Sequence, residues 1–93
     1  MKIIILKSFS DKFNRQLQYI SADKPLAAKK FRKDVIALIR KISDFPYKHR
    51  QSIFFENENI RDLIFKGYII VYRVKDIDIE VFGFIKYEEF LKS

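Results

Sequence analysis

The chain is poor in the residues that build metal, redox and phosphate sites. Its 93 residues include no cysteine, one histidine, two glycines and two prolines. Without cysteine there is no disulfide framework and no thiolate metal site, and one histidine cannot form a ligand cluster. Two glycines are too few for a phosphate-binding loop, and no Ser/His/Asp set is present. We therefore expect no metal, no cofactor and no ordinary small-molecule catalysis.

Long hydrophobic runs are missing as well. The opening segment has only four successive apolar residues, from Ile3 to Leu6. A membrane-spanning helix needs about 20 such residues, and a secretory signal peptide needs a longer apolar stretch than this one. Together with the lack of cysteine, this predicts a soluble, unexported protein of the reducing cytoplasm.

Positive charge and aromatic side chains are abundant. The formal net charge is +7, which favours an anionic partner such as nucleic acid or an acidic protein segment. Part of the lysine excess can instead reflect genomic base composition. Ten Phe and five Tyr give one small domain, residues 1–93, an efficient core, because each buried ring removes roughly 150–250 Å² from water.

Hydrophobic periodicity predicts a first strand followed by two helices. Residues 2–6 form a β-branched run that we interpret as a strand buried on both faces. Ser8 or Ser10 is the expected N-cap of the first helix, and Pro25 in a first turn, with Asp23 as cap, starts the second. Each helix carries one apolar stripe. The two stripes are Phe9, Phe13, Leu17 and Ile20, and then Ala28, Phe31, Val35, Leu38, Ile39 and Ile42.

The rest of the chain predicts a strand meander. Phe45-Pro46 ends the second helix, since proline disfavours helical geometry in the residue before it, and 47–59 is expected to be a connecting loop. Period-two alternation and short turns then favour three strands, with the first strand pairing to a late one. The tail 88–93 is expected to fray, or to dock through Phe90 and Leu91. The three predicted strands are Ile60–Phe65, Tyr68–Val74 and Ile77–Ile85.

This order of elements, with several short motifs, resembles the RelE/ParE toxin superfamily of type II toxin-antitoxin systems over nearly the whole chain. The resemblance implies a β-αα-βββ, α+β fold in which a helical hairpin packs on a small, mostly antiparallel sheet. It also implies a hetero-oligomer with a cognate antitoxin, whose C-terminal segment folds onto the toxin. The motifs are Ala27-Ala28-Lys29-Lys30-Phe31, Phe45-Pro46, Ile60-Arg61-Asp62-Leu63 and Gly67-Tyr68-Ile69-Ile70-Val71-Tyr72-Arg73-Val74.

Two functional classes share that fold, so the resemblance leaves the target open. RelE-like members are ribosome-dependent mRNA endonucleases that use Lys and Arg side chains on the sheet with a C-terminal Tyr or His. Aligned through Gly67, their cationic positions fall on apolar or acidic residues here. A carboxylate in place of a cation opposes stabilisation of phosphate charge. The four positions are Ile60, Asp62, Ile69 and Glu89.

The run Arg61-Asp62-Leu63 instead resembles the Arg-Glu-Leu of ParE-like toxins, which bind and inhibit DNA gyrase. The chain departs from that pattern too, because Ile69 and Lys86 stand where ParE-like chains commonly have Arg and His. The resemblance therefore implies a ParE-like toxin that binds gyrase. A divergent nuclease acting on the ribosome and mRNA, and a non-toxic binding module, are the alternatives.

Candidate site residues follow from charge and position. Arg73, Lys86 and Tyr87 are the residual catalytic candidates, because Tyr87 lies near the proton-transfer position of RelE-like enzymes. His49 is interpreted as a solvated loop residue. Cations on or beside the strands fit either a contact patch on the exposed sheet face or ordinary solvated charges, and those on the second helix fit either a contact surface or a solvated ridge. These contact candidates are Arg61, Lys66, Arg73 and Lys86, and Lys29, Lys33 and Arg40.

Overall fold

A helical hairpin covers one face of a five-stranded mixed sheet in the computed structural model, which describes residues 1–92. The strand order is β1-β5-β4-β3-β2; β1 runs parallel to β5 and the other pairs are antiparallel. This confirms the predicted α+β class. The elements are β1 (Lys2–Ile5), α1 (Lys7–Asp23), α2 (Pro25–Lys41), a 3₁₀ turn (Ile42–Asp44), β2 (Arg50–Gln51), β3 (Ile60–Phe65), β4 (Tyr68–Val74), β5 (Asp78–Lys86) and α3 (Tyr87–Lys92).

Strand β1 lies at one edge of the sheet. Its pairing with β5, with Lys2 opposite Asp78 and Ile5 opposite Val81, confirms the predicted crossover through the helices. The expectation that both its faces are buried is wrong, because Ile5 is 42% exposed. An edge strand has one neighbour, and its β-branched run fits that half-covered position as well as a buried one.

The helix starts differ from those expected. Leu6 is the N-cap of α1 and makes no side-chain capping bond, so neither Ser8 nor Ser10 caps this helix. The Ser8 hydroxyl instead donates to the Phe82 carbonyl at 2.7 Å, which ties α1 to β5. Lys24, not Asp23, precedes α2, whose first position is Pro25 as predicted.

Two short elements were not predicted from the sequence. The expected loop 47–59 contains β2, which pairs with β3 through Arg50 opposite Asp62. The tail forms α3 rather than a frayed end, except that Ser93 of the predicted 88–93 segment lies outside the described residues. Phe90 docks as expected and meets Phe54 edge-on, with ring centroids 5.2 Å apart.

The main core lies between the helices and the sheet. Phe9 and Phe13 of α1, with Val35 and Ile39 of α2, are buried there, as their periodicity predicts. Aromatic rings run through this core in one connected series, with neighbouring centroids 4.9 to 6.1 Å apart. We call this series the aromatic seam: Phe9, Phe13, Phe84, Tyr68, Phe31 and Phe65.

Strand β4 is buried on both faces, which confirms its predicted central position. Ile70 and Tyr72 pack into the main core, whereas Ile69 and Val71 belong to a second cluster on the opposite face of the sheet. No helix within residues 1–92 is long and apolar enough to cross a membrane.

The two glycines have separate backbone roles. Lys66 and Gly67 form the two-residue turn between β3 and β4, both with positive φ (48° and 81°), as the favoured hairpin turn requires. Gly83 faces Val71 next to a bulge in β5, and a Cβ at this position would lie 2.9 Å from the Val71 Cβ. Gly83 therefore lets β4 and β5 approach closely at the bulge.

Burial of Tyr72 predicts a loss of stability at alkaline pH. Burial raises the pKa of the Tyr72 hydroxyl to about 12, and the hydroxyl donates to the Pro46 carbonyl. The pKa in the folded protein exceeds the value near 10 in the unfolded chain. The stabilisation that the protonated hydroxyl gives the folded state is therefore complete below about pH 10 and is lost as the pH rises to about 12. Urea unfolding at fixed pH should show a steeper loss in that window for wild type than for Tyr72→Phe, by roughly 1–3 kcal/mol. Parallel profiles for the two proteins would contradict the assignment.

Candidate functional site

The sheet face turned away from α1 and α2 is apolar where a RelE-like nuclease would be cationic. Ile60, Asp62 and Ile69 are all buried there, and Glu89 is exposed on α3. Phe54 and Phe55 cover this face from the loop after β2, and Phe90 covers it from α3. The apolar side chains that pack together on this face form one cluster. We call it the open-face cluster: Ile60, Ile69, Val71, Phe54, Phe82 and Ile85.

Asp62 holds the loop that forms part of this cover. Its side chain is fully buried, and Oδ2 accepts a hydrogen bond from the Ile53 amide at 3.1 Å. The same oxygen pairs with the Arg50 guanidinium at 3.2 Å. The other oxygen, Oδ1, is buried with no partner within residues 1–92. Asp62 is therefore a structural anchor for residues 50–54, at a position where phosphate chemistry would need a cation.

The three residual catalytic candidates do not converge. Arg73 lies opposite Glu80 and packs over Phe82 on the open face, whereas Lys86 lies opposite Tyr68 and points toward α1. Along β4 these two positions are about 16 Å apart at 3.3 Å per residue. Tyr87 begins α3, and its amide donates to the Gly67 carbonyl at 2.8 Å. The three side chains cannot surround one phosphate in this arrangement.

The strand cations do not form a single patch on the exposed sheet face. Arg73 lies on that face, paired with Glu80 at 3.1 Å. Arg61 alternates to the helix side, where its guanidinium packs 4.9 Å from the Tyr47 ring centre. Lys66 lies in the β3–β4 turn and Lys86 beside α1. Strand alternation and different positions along the strands separate the four charges.

The helix cations remain on the outside of α2. Lys29, Lys33 and Arg40 are exposed, and none of them makes an ion pair with another of residues 1–92. They are spread along the helix rather than gathered around a cavity. This arrangement fits both interpretations of the ridge, a contact surface and a solvated face.

His49 is less solvated than predicted. Its ring packs edge-on against Tyr72 with centroids 6.2 Å apart. Burial, helped by the neighbouring charge of Lys48, lowers the pKa of His49 below its usual value. The imidazole is thus neutral at pH 7, and its role is packing beside the main core.

A cationic groove lies between α1, the end of β5 and α3, and we call it the α1–β5 groove. It has a volume of about 380 Å³. Lys12, Arg15 and Lys86 supply positive charge, and Glu89 supplies one carboxylate. Phe84 forms an apolar floor, and Gln16 at the rim donates to the Tyr68 hydroxyl at 2.9 Å. Cations around an apolar floor suit an acidic, amphipathic segment of a protein.

Lys86 links the walls of this groove. Its ammonium lies 5.8 Å from the ring centre of Tyr19 and 3.0 Å from a Glu88 carboxylate oxygen. The hydrogen bond to Glu88 raises the pKa of Lys86 above its usual value. Lys86 is therefore charged at pH 7, and its charge faces the groove beside a tyrosine ring that is 74% exposed.

Sequence reasoning placed Lys86 among the candidates but missed the α1 side of the groove. Lys12, Arg15 and Tyr19 are not among the residues that the sequence suggested for a site. The spacing of 12, 15 and 19 puts these three side chains on one stripe of a helix. That spacing is the available signal, although the stripe becomes a groove wall only through its position beside β5.

The fold is that of a small α+β toxin with a helical hairpin on a mixed sheet. The structure of the chromosomal ParDE toxin-antitoxin system from P. aeruginosa includes a similar chain. The TM-score is 0.78 and the identity 15%, over 92% of this chain and 95% of that one. At this identity the likeness shows the fold. No curated protein sequence matches the chain significantly.

The sequence profile for the ParE toxin of the parDE type II toxin-antitoxin system matches residues 3–89. The chain belongs to the ParE toxin family. This confirms the resemblance drawn from the motifs, including the ParE-like side of the superfamily.

Removal of the buried carboxylate should loosen the cover of the open face. Asp62→Ala leaves the Ile53 amide without its acceptor and Arg50 without its partner, so we expect the free energy of unfolding to fall by about 1–3 kcal/mol. Urea unfolding measures this loss, and limited proteolysis should cut near residues 51–56 sooner than in wild type. Asp11→Ala, which breaks an exposed pair with Lys7, is the control and should cost under about 0.5 kcal/mol. Equal losses in the two variants would contradict the anchoring role.

Proposed function

We propose that this protein is a toxin that acts by binding DNA gyrase, and not by cutting mRNA. The observation that carries the proposal concerns the four positions where a RelE-like enzyme would hold phosphate-binding cations. Two of them, Ile60 and Ile69, belong to the apolar open-face cluster, and the other two, Asp62 and Glu89, are acidic. Membership of the ParE family supports the same conclusion. The apolar side chains of this cluster can pack and bind, but they supply no cation to a phosphate transition state, and Arg73 on the same face is paired with Glu80.

The toxin's first partner is a cognate antitoxin that neutralises it in the cytoplasm. We place the C-terminal segment of that antitoxin in the α1–β5 groove, where Arg15 and Lys86 would pair with its carboxylates and Phe84 would meet its apolar side chains. A disordered acidic segment that folds on binding suits a groove of this kind. The toxin and antitoxin would then form a hetero-oligomer.

A divergent mRNA endonuclease is the second candidate function. The net charge of +7 favours it, since the ribosome and mRNA are anionic. It would have to use Arg61, Lys66, Arg73, Lys86 and Tyr87 at shifted positions, and their separation across the sheet counts against it. A non-toxic binding module is the third candidate, and it predicts normal growth on expression without antitoxin.

Purified toxin should block supercoiling of relaxed plasmid by gyrase from the same organism. The expected result is loss of supercoiled product as toxin is titrated, and recovery when the antitoxin is added. Primer extension on mRNA from induced cells serves as the second measurement and should show no codon-positioned cuts. If supercoiling proceeds at saturating toxin while translated mRNA is cut, the gyrase proposal fails.

Charge reversal in the α1–β5 groove should weaken antitoxin binding. For the double variant Arg15→Glu, Lys86→Glu we expect affinity to fall about tenfold or more, because both substituted side chains would repel an acidic segment. Isothermal titration calorimetry with the cognate antitoxin measures the effect.

The matched control reverses two charges on α2, in a depression between α1 and α2. Lys29 and Arg32 line a separate depression with Leu17 and Ser21, so Lys29→Glu, Arg32→Glu makes the same change in net charge. This control should alter affinity by less than about threefold. A larger loss in the control than in the groove variant would move the contact to the α2 ridge and contradict the groove assignment.

A further inference from the structure

The segment after α2 combines exposed rings with unpaired cations, and the toxin proposal makes no use of it. Residues 44–48 line a shallow, mainly apolar depression of about 560 Å³. Phe45 is 71% exposed and Tyr47 49% exposed. We call residues 45–50, with the sequence Phe-Pro-Tyr-Lys-His-Arg, the aromatic-basic loop.

Hydrogen bonds fix the backbone of this loop while the Phe45 ring stays in solvent. The Lys48 amide donates to the Phe45 carbonyl at 3.1 Å. The buried hydroxyl of Tyr72 donates to the Pro46 carbonyl, and the Arg61 guanidinium donates to the His49 carbonyl at 3.2 Å. An exposed phenylalanine is ordinarily disfavoured in water, and here it is presented on a segment that is held in place.

The second ring is oriented as well. The Tyr47 hydroxyl donates to the Asn59 side chain at 2.7 Å, and the Arg61 guanidinium packs over its face at 4.9 Å. A cation over one face of an aromatic ring leaves the other face and the edge available for contact. Tyr47 and Phe45 therefore provide two aromatic surfaces within three residues of each other.

The cations around the loop fall into two groups. Arg50 and Arg61 are engaged within the fold, on Asp62 and on Tyr47. Arg40, Lys41 and Lys48 are exposed and make no ion pair with any of residues 1–92. Asp44 is the one carboxylate among the five residues that line the depression. The loop thus has positive charge that the fold does not use.

We propose that the aromatic-basic loop binds single-stranded nucleic acid, with a base stacked on Phe45 and the flanking phosphates held by Lys48, Arg40 and Lys41. Single-strand binding sites in proteins combine an exposed ring with cations that follow the backbone. An exposed ring beside cations suits a polyanion that carries flat bases, which nucleic acid supplies and an acidic peptide does not. The proposal does not depend on the identity of the toxin's target.

Fluorescence anisotropy with a labelled oligothymidylate tests the proposal on the full chain. We expect Phe45→Ala and Phe45→Leu to weaken binding about tenfold or more, because both remove the flat ring, and Phe45→Tyr to retain it. Lys48→Gln should weaken binding and lower the slope of log affinity against log salt by about 0.7. Thermal melting should be unchanged in the Phe45 variants, since the ring is in solvent.

The controls lie at the other end of α2. Leu26 is 79% exposed, so Leu26→Ala removes a comparable exposed apolar side chain, and Lys24→Gln removes the same charge as Lys48→Gln. Both positions are about 25 Å from the loop, the length of a helix of this size, and both variants should bind as wild type does.

Several outcomes would overturn the proposal. Binding that survives the loss of the Phe45 ring, or that falls equally in the Lys24 and Lys48 variants, would show that the affinity depends on net charge and not on this loop. Equal affinity for a duplex of the same length, or tighter binding of polyglutamate than of oligothymidylate, would assign the loop to a different partner. Absence of binding at low salt would also refute it.

Discussion

The aromatic seam is the contact on which the rest of this small structure depends. It joins α1, α2, β3, β4 and β5 through ring pairs with centroids 4.9 to 6.1 Å apart. Each such pair contributes about 0.5–1.5 kcal/mol beyond the area it buries. The chain has no cysteine and so no disulfide to stabilise it, and large rings shared among five elements supply much of the cohesion of a domain of this size. Because the seam occupies the helix side, the other face of the sheet needs a cover of its own.

The cover on the open face of the sheet affects where exposed cations lie on this protein. Phe54, Phe55 and Phe90 close the open face, and the buried carboxylate of Asp62 holds the loop that carries two of these rings. Apolar side chains fill most of both sheet faces, Arg73 on the open face is paired with Glu80, and further cations lie at the rim: the α1–β5 groove at one end and the aromatic-basic loop at the other. A protein built in this way presents charge for contact at its edges, which supports the proposal that this ParE toxin works by binding.

Much of the fold could be predicted from local pattern, and much of the site could not. Helical spacing predicted the buried stripe of α1 that begins at Phe9. The apolar run of β4 predicted its central position in the sheet. Both patterns follow directly from which side chains are buried. Strand β2 and helix α3 were not predicted, because segments of two and six residues are too short to show a hydrophobic period. Strand β2 depends on pairing with Asp62, and α3 depends on packing against Phe54. The site candidates failed as a patch because alternation places Arg61 and Arg73 on opposite faces. Lys12 and Arg15 became groove residues only through the placement of α1 beside β5.

The parallel pairing of β1 with β5 has a consequence for the order in which the protein can be made. Lys2 finds its partner only at Asp78, so a growing chain can form the helical hairpin early but cannot close the sheet until residues 78–81 have left the ribosome. Such long-range pairing is slow to form compared with local helical contacts. The sheet therefore closes only after the helices and the strands β2 to β4 have been made. Until then β1 has no neighbouring strand on either side, because β5 is its one partner in the sheet.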